Sequence, residues 1–216
     1  MTHIALVHGG GDSGSAFDLL AAELQARGHT TSAVDLPFDR PEADLWALAD
    51  AVVERTEGAD DVLVVAHSWG GFVGPLVCAR LGDRATALVM LAAMVPRPGE
   101  TPGDWWAATG HDADLSGDPI ETFYNGVPRS VAEAALAAGR DQLSQTSLEP
   151  WPLDTWPDVP TRVLVGRDDR VFPLDFMRRV VRERLGTDPD EIDGGHTMFI
   201  ADPSGVADRL EGYLAS

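Results

Sequence analysis

Short apolar runs alternate along this chain with stretches in which apolar residues recur every three or four positions. The runs at about 3–8, 31–36, 61–67, 86–92 and 161–166 read as strands, with a last short one near 188–193. Between them, Leu45, Leu48 and Val52 mark one helix, and Leu174, Met177, Val181 and Leu185 mark another that Gly186 stops. Val206, Leu210 and Tyr213 mark the last helix. Strands and helices in strict alternation predict an α/β fold of about six mostly parallel strands with helices on both faces.

The alternation breaks between about 95 and 160, a stretch rich in Pro and Gly that carries Trp105, Trp106, Phe123, Tyr124, Trp151 and Trp156. Ser130-x-x-Glu133 within it has the form of a capping box opening a helix. A long insertion between two core strands predicts a short helical cap, at about 96–157, lying over the strand ends. It has too few residues for a core of its own, so residues 1–216 are expected to form one domain.

Composition narrows the possible partners. The formal charge of −19 opposes binding to nucleic acid or to anionic membrane. The chain has no lysine, which removes Schiff-base chemistry and the phosphate-loop lysine. Cys78 is the single cysteine, so no intramolecular disulfide forms, and its apolar neighbours predict a small core residue. No window approaches the length of a membrane span, and residues 3–8 are strand-like from the start with no signal peptide before them; the expected location is the cytoplasm.

The strongest chemical signal is Val-Leu-Val-Val-Ala-His-Ser-Trp-Gly-Gly-Phe-Val-Gly at 62–74. An apolar strand enters a small-x-Ser-x-small turn and then a helix, the pattern of a nucleophile elbow that lifts the Ser68 hydroxyl clear of the backbone. Ala66 stands where the usual pattern has glycine, and Gly70 and Gly71 give the turn room. A serine in this place is also a favoured N-cap, so the elbow needs partners before it means catalysis. The glycine turn after the first strand, His8-Gly9-Gly10-Gly11, supplies a candidate oxyanion amide at Gly10, paired with that of Trp69. The fifth strand delivers two carboxylates, Asp168 and Asp169, at its end. His196, preceded by Gly194 and Gly195, follows the last strand and is the candidate base. Serine, acid and histidine in this chain order suit an α/β-hydrolase.

Competing readings are weaker. His8 and His67 at strand ends read as packing residues, and His3 and His29 carry no signal. His111 lacks a companion ligand set at helical spacing, so neither a metal nor an organic cofactor is expected. Gly9-x-Gly11-x-x-Gly14 with Asp35 fits a dinucleotide fingerprint in form, but leaves the elbow and His196 unexplained. A ligand-binding protein on a hydrolase fold is a further possibility, since a fold does not set a function.

Taken in order, Leu-Val-His-Gly at 6–9, Asp35-Leu36-Pro37, Ala-His-Ser-Trp-Gly-Gly at 66–71, Ala93-Met94-Val95-Pro96 with Gly99-Glu100, Trp156-Pro157-Asp158-Val159-Pro160 and Gly194-Gly195-His196 resemble the α/β-hydrolases over nearly the whole chain. The resemblance is strongest to the small branch of plant methyl esterases and hydroxynitrile lyases. It implies that the acid in Gly166-x-x-Asp169 is Asp169, with Ser68 and His196 completing the triad. The lyases of this branch carry threonine where this chain has Gly9 and lysine where it has Thr197, so the resemblance favours hydrolysis of a small neutral ester over cyanohydrin cleavage. A lactone is an alternative substrate. The aromatic residues Trp105, Trp106, Phe123 and Tyr124, with Gly9, are the expected walls of an apolar pocket.

Overall fold

A computed structural model describes residues 1–215. Six parallel strands form one sheet in the order β2-β1-β3-β4-β5-β6. They are β1 (His3–Val7), β2 (Thr30–Ala33), β3 (Val62–His67), β4 (Ala85–Leu91), β5 (Thr161–Gly166) and β6 (Asp190–Ile192). The central strand β3 is buried at every position, as a sheet covered on both faces requires. Val62, Val64 and Ala66 face a core shared with α2 (Leu45–Glu54), α3 (Gly74–Leu81) and α7 (Leu174–Leu185). Leu63 and Val65 face the opposite core, filled by α1 (Asp18–Ala26), α8 (Met198–Ala201) and α9 (Pro203–Leu214).

The helical spacings read from sequence correspond to buried faces. Leu45, Leu48 and Val52 are buried on α2, as are Met177 and Val181 on α7, while Leu174 and Leu185 pack at the edge of the same core. Gly186 takes a left-handed conformation, φ 70°, and its N–H closes on Arg182 O, which ends α7. Cys78 is a buried core residue whose thiol is pushed up to about 12 by that burial. Among the described residues no helix is long and apolar enough to cross a membrane.

Two sequence expectations need correction. The second strand is expected over 31–36 but ends at Ala33, and the Leu36 N–H is claimed elsewhere. Leu36 N–H donates to His8 Nε2 at 2.9 Å, and Asp35 Oδ1 accepts from Gly14 N–H at 2.8 Å. The Ser130 capping box does not form: the helix there, α6 (Arg129–Ala137), begins on Pro128, which presets the entry and leaves Ser130 inside the first turn.

Between β4 and β5 lie α4 (Pro102–Ala108), α5 (Pro119–Phe123), α6 and a 3-10 turn at Gln145–Leu148. Side chains tie this stretch to the sheet end. Trp151 Nε1 donates to Phe72 O at 3.1 Å and Trp105 Nε1 to Val95 O at 3.0 Å. A buried Arg184–Glu100 ion pair joins α7 to the loop that leaves β4. Arg140 reaches across to Asp35 at 2.9 Å, and its N–H donates to Gly11 O.

Candidate active site

The turn after β3 brings Ser68 to the C-terminal end of the sheet with φ 51°, a left-handed backbone that costs on the order of 1–3 kcal/mol for a residue other than glycine. The strain is held by close neighbours. Met94 N–H donates to Ser68 O at 3.0 Å, a Cβ at Gly70 would lie 2.7 Å from His8 O, and one at Gly71 would lie 1.9 Å from Met94 O. Only glycine fits at either place. Ala66 replaces the usual glycine without a clash because Gly74 stands opposite; a Cβ on Gly74 would come within 2.6 Å of Ala66 Cβ.

Three loops converge on this turn. His196 Nε2 lies 2.9 Å from Ser68 Oγ, and His196 Nδ1 lies 2.9 Å from Asp169 Oδ2. The second oxygen of Asp169, Oδ1, accepts from the N–H groups of Val171 and Phe172 at 2.8 and 2.9 Å. Asp169 and His196 are both buried, 5% and 2% exposed, so their contact is shielded from water. Asp168 is exposed, and the structure brings Asp169, not its neighbour, to the imidazole. The ring of His196 is enclosed by His67, Phe172 and Phe123, with centroids 4.7, 5.1 and 6.1 Å away.

Gly10 N–H donates to no protein acceptor among the described residues, and Trp69 occupies the first turn of the 3-10 helix Ser68–Phe72, where N–H groups have no partner within the helix. His8 braces this loop. Because Leu36 N–H can only donate, His8 Nε2 must accept, so Nδ1 carries the proton and donates to Gly9 O at 2.8 Å. Burial, opposed in part by the Gly9 hydrogen bond, lowers the His8 pKa to about 4. An unfolded chain takes up this proton near pH ~6.5, the folded one only near 4, so stability is lost as pH falls between those values. Full titration of His8 costs about 3 kcal/mol. His67, pushed well down by burial, adds in the same direction, whereas Asp12, raised by burial, opposes it. Urea unfolding midpoints are therefore expected to fall from pH 6.5 towards 4, with a shallower slope in His8→Gln; an unchanged slope would show that His8 protonation is not linked to folding.

The expected pocket walls divide into two groups. Phe123 and Gly9 lie at the site: a Cβ on Gly9 would meet Ser68 Cβ at 2.9 Å, so glycine lets the loop lie against Ser68. Tyr124 is buried, with its OH donating to Asp12 Oδ1 at 3.3 Å. Trp105 is not a pocket wall; it is fully buried, packed against Trp106, Phe172 and Phe176. Trp106 meets His111 edge-to-face and Phe172 at a tilt, and reaches His196 through Phe172. Trp105 belongs to the core on that side, and the partly buried Trp106 packs against that core. His111 Nε2 bonds Val171 O at 2.7 Å, and among the described residues no group of three His, Cys, Asp or Glu side chains is placed to hold a metal ion.

A model of the alpha/beta hydrolase family matches residues 4–209. The chain belongs to that family. It is 29% identical over 255 residues to a pyrethroid hydrolase of Sphingobium wenxiniae, covering 99% of this chain and 88% of that protein. A probable esterase of Oryza sativa subsp. indica is 30% identical over 118 residues, covering 47% of this chain and 42% of the rice protein. Among solved structures, a pyrethroid hydrolase from Sphingobium faniae superposes with a TM-score of 0.82 at 20% identity, covering 100% of this chain and 98% of the other. Polyneuridine aldehyde esterase gives 0.81 at 18% identity, covering 99% of both chains.

Within this alpha/beta hydrolase, two residues read from sequence as packing do more. His67 Nε2 donates to the carbonyl of His196 at 3.1 Å, anchoring the backbone that carries the imidazole, and His8 joins the glycine turn to Leu36 in the loop after β2. Thr197 is buried, and its hydroxyl donates to Phe123 O at 2.9 Å, joining the histidine loop to the insertion. The sequence signal for His8 and His67 was their place at strand ends, and for Thr197 its place directly after His196, where the resembling lyases carry lysine; neither signal gives the hydrogen-bond partners. Asp35, the acid of the dinucleotide reading, is taken up by Gly14 N–H and Arg140.

Proposed function

We propose that this chain is a serine esterase that hydrolyses a small, neutral carboxylic ester through an acyl-enzyme on Ser68. The observation that carries the reading is the unbroken relay from Ser68 Oγ through His196 to Asp169, both links 2.9 Å. His196 Nε2 takes the serine proton as Oγ attacks the carbonyl, then returns it to the departing alkoxide; water repeats the sequence on the acyl-enzyme. Asp169 holds the tautomer with its proton on Nδ1 and stabilises the imidazolium. The amides of Gly10 and Trp69 are assigned to the oxyanion. The names of the Sphingobium and rice relatives, a hydrolase and a probable esterase, support this reaction class.

Cyanohydrin cleavage is disfavoured by Gly9 and Thr197. Gly9 offers no hydroxyl and has no space for one against Ser68 Cβ. Thr197 is uncharged and turned to Phe123 O, so nothing there steadies a cyanide anion. The discriminating measurement sets p-nitrophenyl and methyl esters beside mandelonitrile. Ester hydrolysis is expected, with cyanide release at the buffer rate; rapid cyanide release with esters untouched would overturn the proposal.

A further inference from the structure

Asp12 sits on the glycine turn beside the nucleophile, and nothing in the triad uses it. A methyl group on Gly9 would touch Ser68 Cβ at 2.9 Å and Asp12 Oδ2 at 3.4 Å, so the two side chains stand about one methyl group apart. The turn is closed by Asp12 N–H donating to Gly9 O at 3.4 Å, which holds the carboxylate towards the sheet end. Its two oxygens differ. Oδ1 accepts from Tyr124 OH at 3.3 Å. Oδ2 has no hydrogen-bond donor among the described residues, and His67 Nδ1 stands 3.9 Å away, beyond hydrogen-bond range. His67 cannot approach as a neutral donor through that nitrogen, because its proton is committed at Nε2 to the carbonyl of His196. The Asp12 side chain is 16% exposed, and Oδ2 is not among the enclosed unbonded atoms, so it is not sealed from solvent.

Resting on the serine-esterase reading, we propose that Asp12 is a specificity-determining residue whose Oδ2 accepts a hydrogen bond from a donor on the carbon next to the substrate carbonyl. The preferred acyl group then carries a hydroxyl or a protonated amine at that carbon. A carboxylate stripped of most of its water and given one long hydrogen bond gains when a substrate donor replaces the missing solvent. Burial raises the Asp12 pKa, while the nearby His196 and the Tyr124 hydrogen bond lower it, consistent with a carboxylate short of donors. An anionic acyl group is repelled by the same oxygen.

The test compares kcat/KM for methyl mandelate with methyl phenylacetate, which lacks the hydroxyl, and with methyl α-methoxyphenylacetate, which keeps the oxygen without its proton. Methyl phenylglycinate supplies the ammonium arm. After division by the alkaline hydrolysis rates, the donor-bearing esters are expected to lead by about tenfold to a hundredfold. In Asp12→Leu, the apolar isostere, that ratio falls to within about threefold of unity, and Asp12→Asn retains part of it. Equal ratios in wild type overturn the proposal whether or not the variants fold, as does a loss in Asp12→Leu shared equally by all four esters, which would make Asp12 a support for His67. Equal ratios with intact fluorophosphonate labelling leave the Ser68 reading standing. Absence of both labelling and hydrolysis of any ester overturns that reading and this one together.

Discussion

Ser68→Ala is expected to abolish covalent labelling by a fluorophosphonate and to lower ester turnover by on the order of 10⁶. Oγ is the atom that lies 2.9 Å from His196 Nε2, and an alanine methyl offers neither a proton for the imidazole nor a lone pair for the carbonyl. Turnover should still exceed the reaction in water by on the order of 10³, since the amides assigned to the oxyanion and the surfaces that hold the ester are untouched. Folding should be preserved: the Met94 N–H bond to the residue 68 carbonyl and the close approaches at Gly70 and Gly71 do not involve the Ser68 hydroxyl. The decisive measurement is labelling of folded Ala variant beside wild type. Undiminished labelling would place the nucleophile at another residue.

Asp169→Asn is expected to cost about 10⁴ in turnover, by a route that the local hydrogen bonds dictate. Oδ1 accepts two backbone N–H groups, from Val171 and Phe172. An asparagine must therefore keep its carbonyl oxygen there and turn its NH2 towards His196 Nδ1. That NH2 donates, so Nδ1 has to accept, and the imidazole proton moves to Nε2, where it blocks uptake of the serine proton. The negative charge opposite the imidazolium is lost in the same change. Asp168→Asn provides the contrast: its side chain is exposed and its backbone carbonyl, which accepts from Asn125 Nδ2 at 2.9 Å, is retained. Its effect should be on the order of tenfold or below. Steady-state kinetics on the two variants separates them, and a reversed ranking would move the acid by one residue.

Much of the architecture was legible along the chain because it rests on local pattern. Apolar runs marked the six strands, and a period of three to four residues marked the buried faces of α2, α7 and α9, since burial of one helix face or of a whole strand is a periodic demand. The elbow could be read for a similar reason: Gly70 and Gly71 are required by backbone atoms within their own neighbourhood and by an adjacent strand end. β2 is shorter than its local pattern because His8, 28 positions away, takes the Leu36 N–H, and α6 starts at Arg129 behind Pro128, which leaves Ser130 inside the helix.

By itself, then, the sequence determined the fold class, the three residues that could form a relay and the chain order in which the sheet presents them. Tertiary structure supplied the reason that Asp169 rather than Asp168 meets the imidazole: the backbone turn after β5 points its carboxylate inward. It also separated Phe123, beside His196, from Trp105, which is sealed in the core, although both are aromatic residues in the same insertion. The tasks of His8, His67 and Asp12 depend on partners 28, 129 and 112 positions away. No periodicity carries information over such separations; only the sheet, by drawing the strand ends together, makes those groups neighbours.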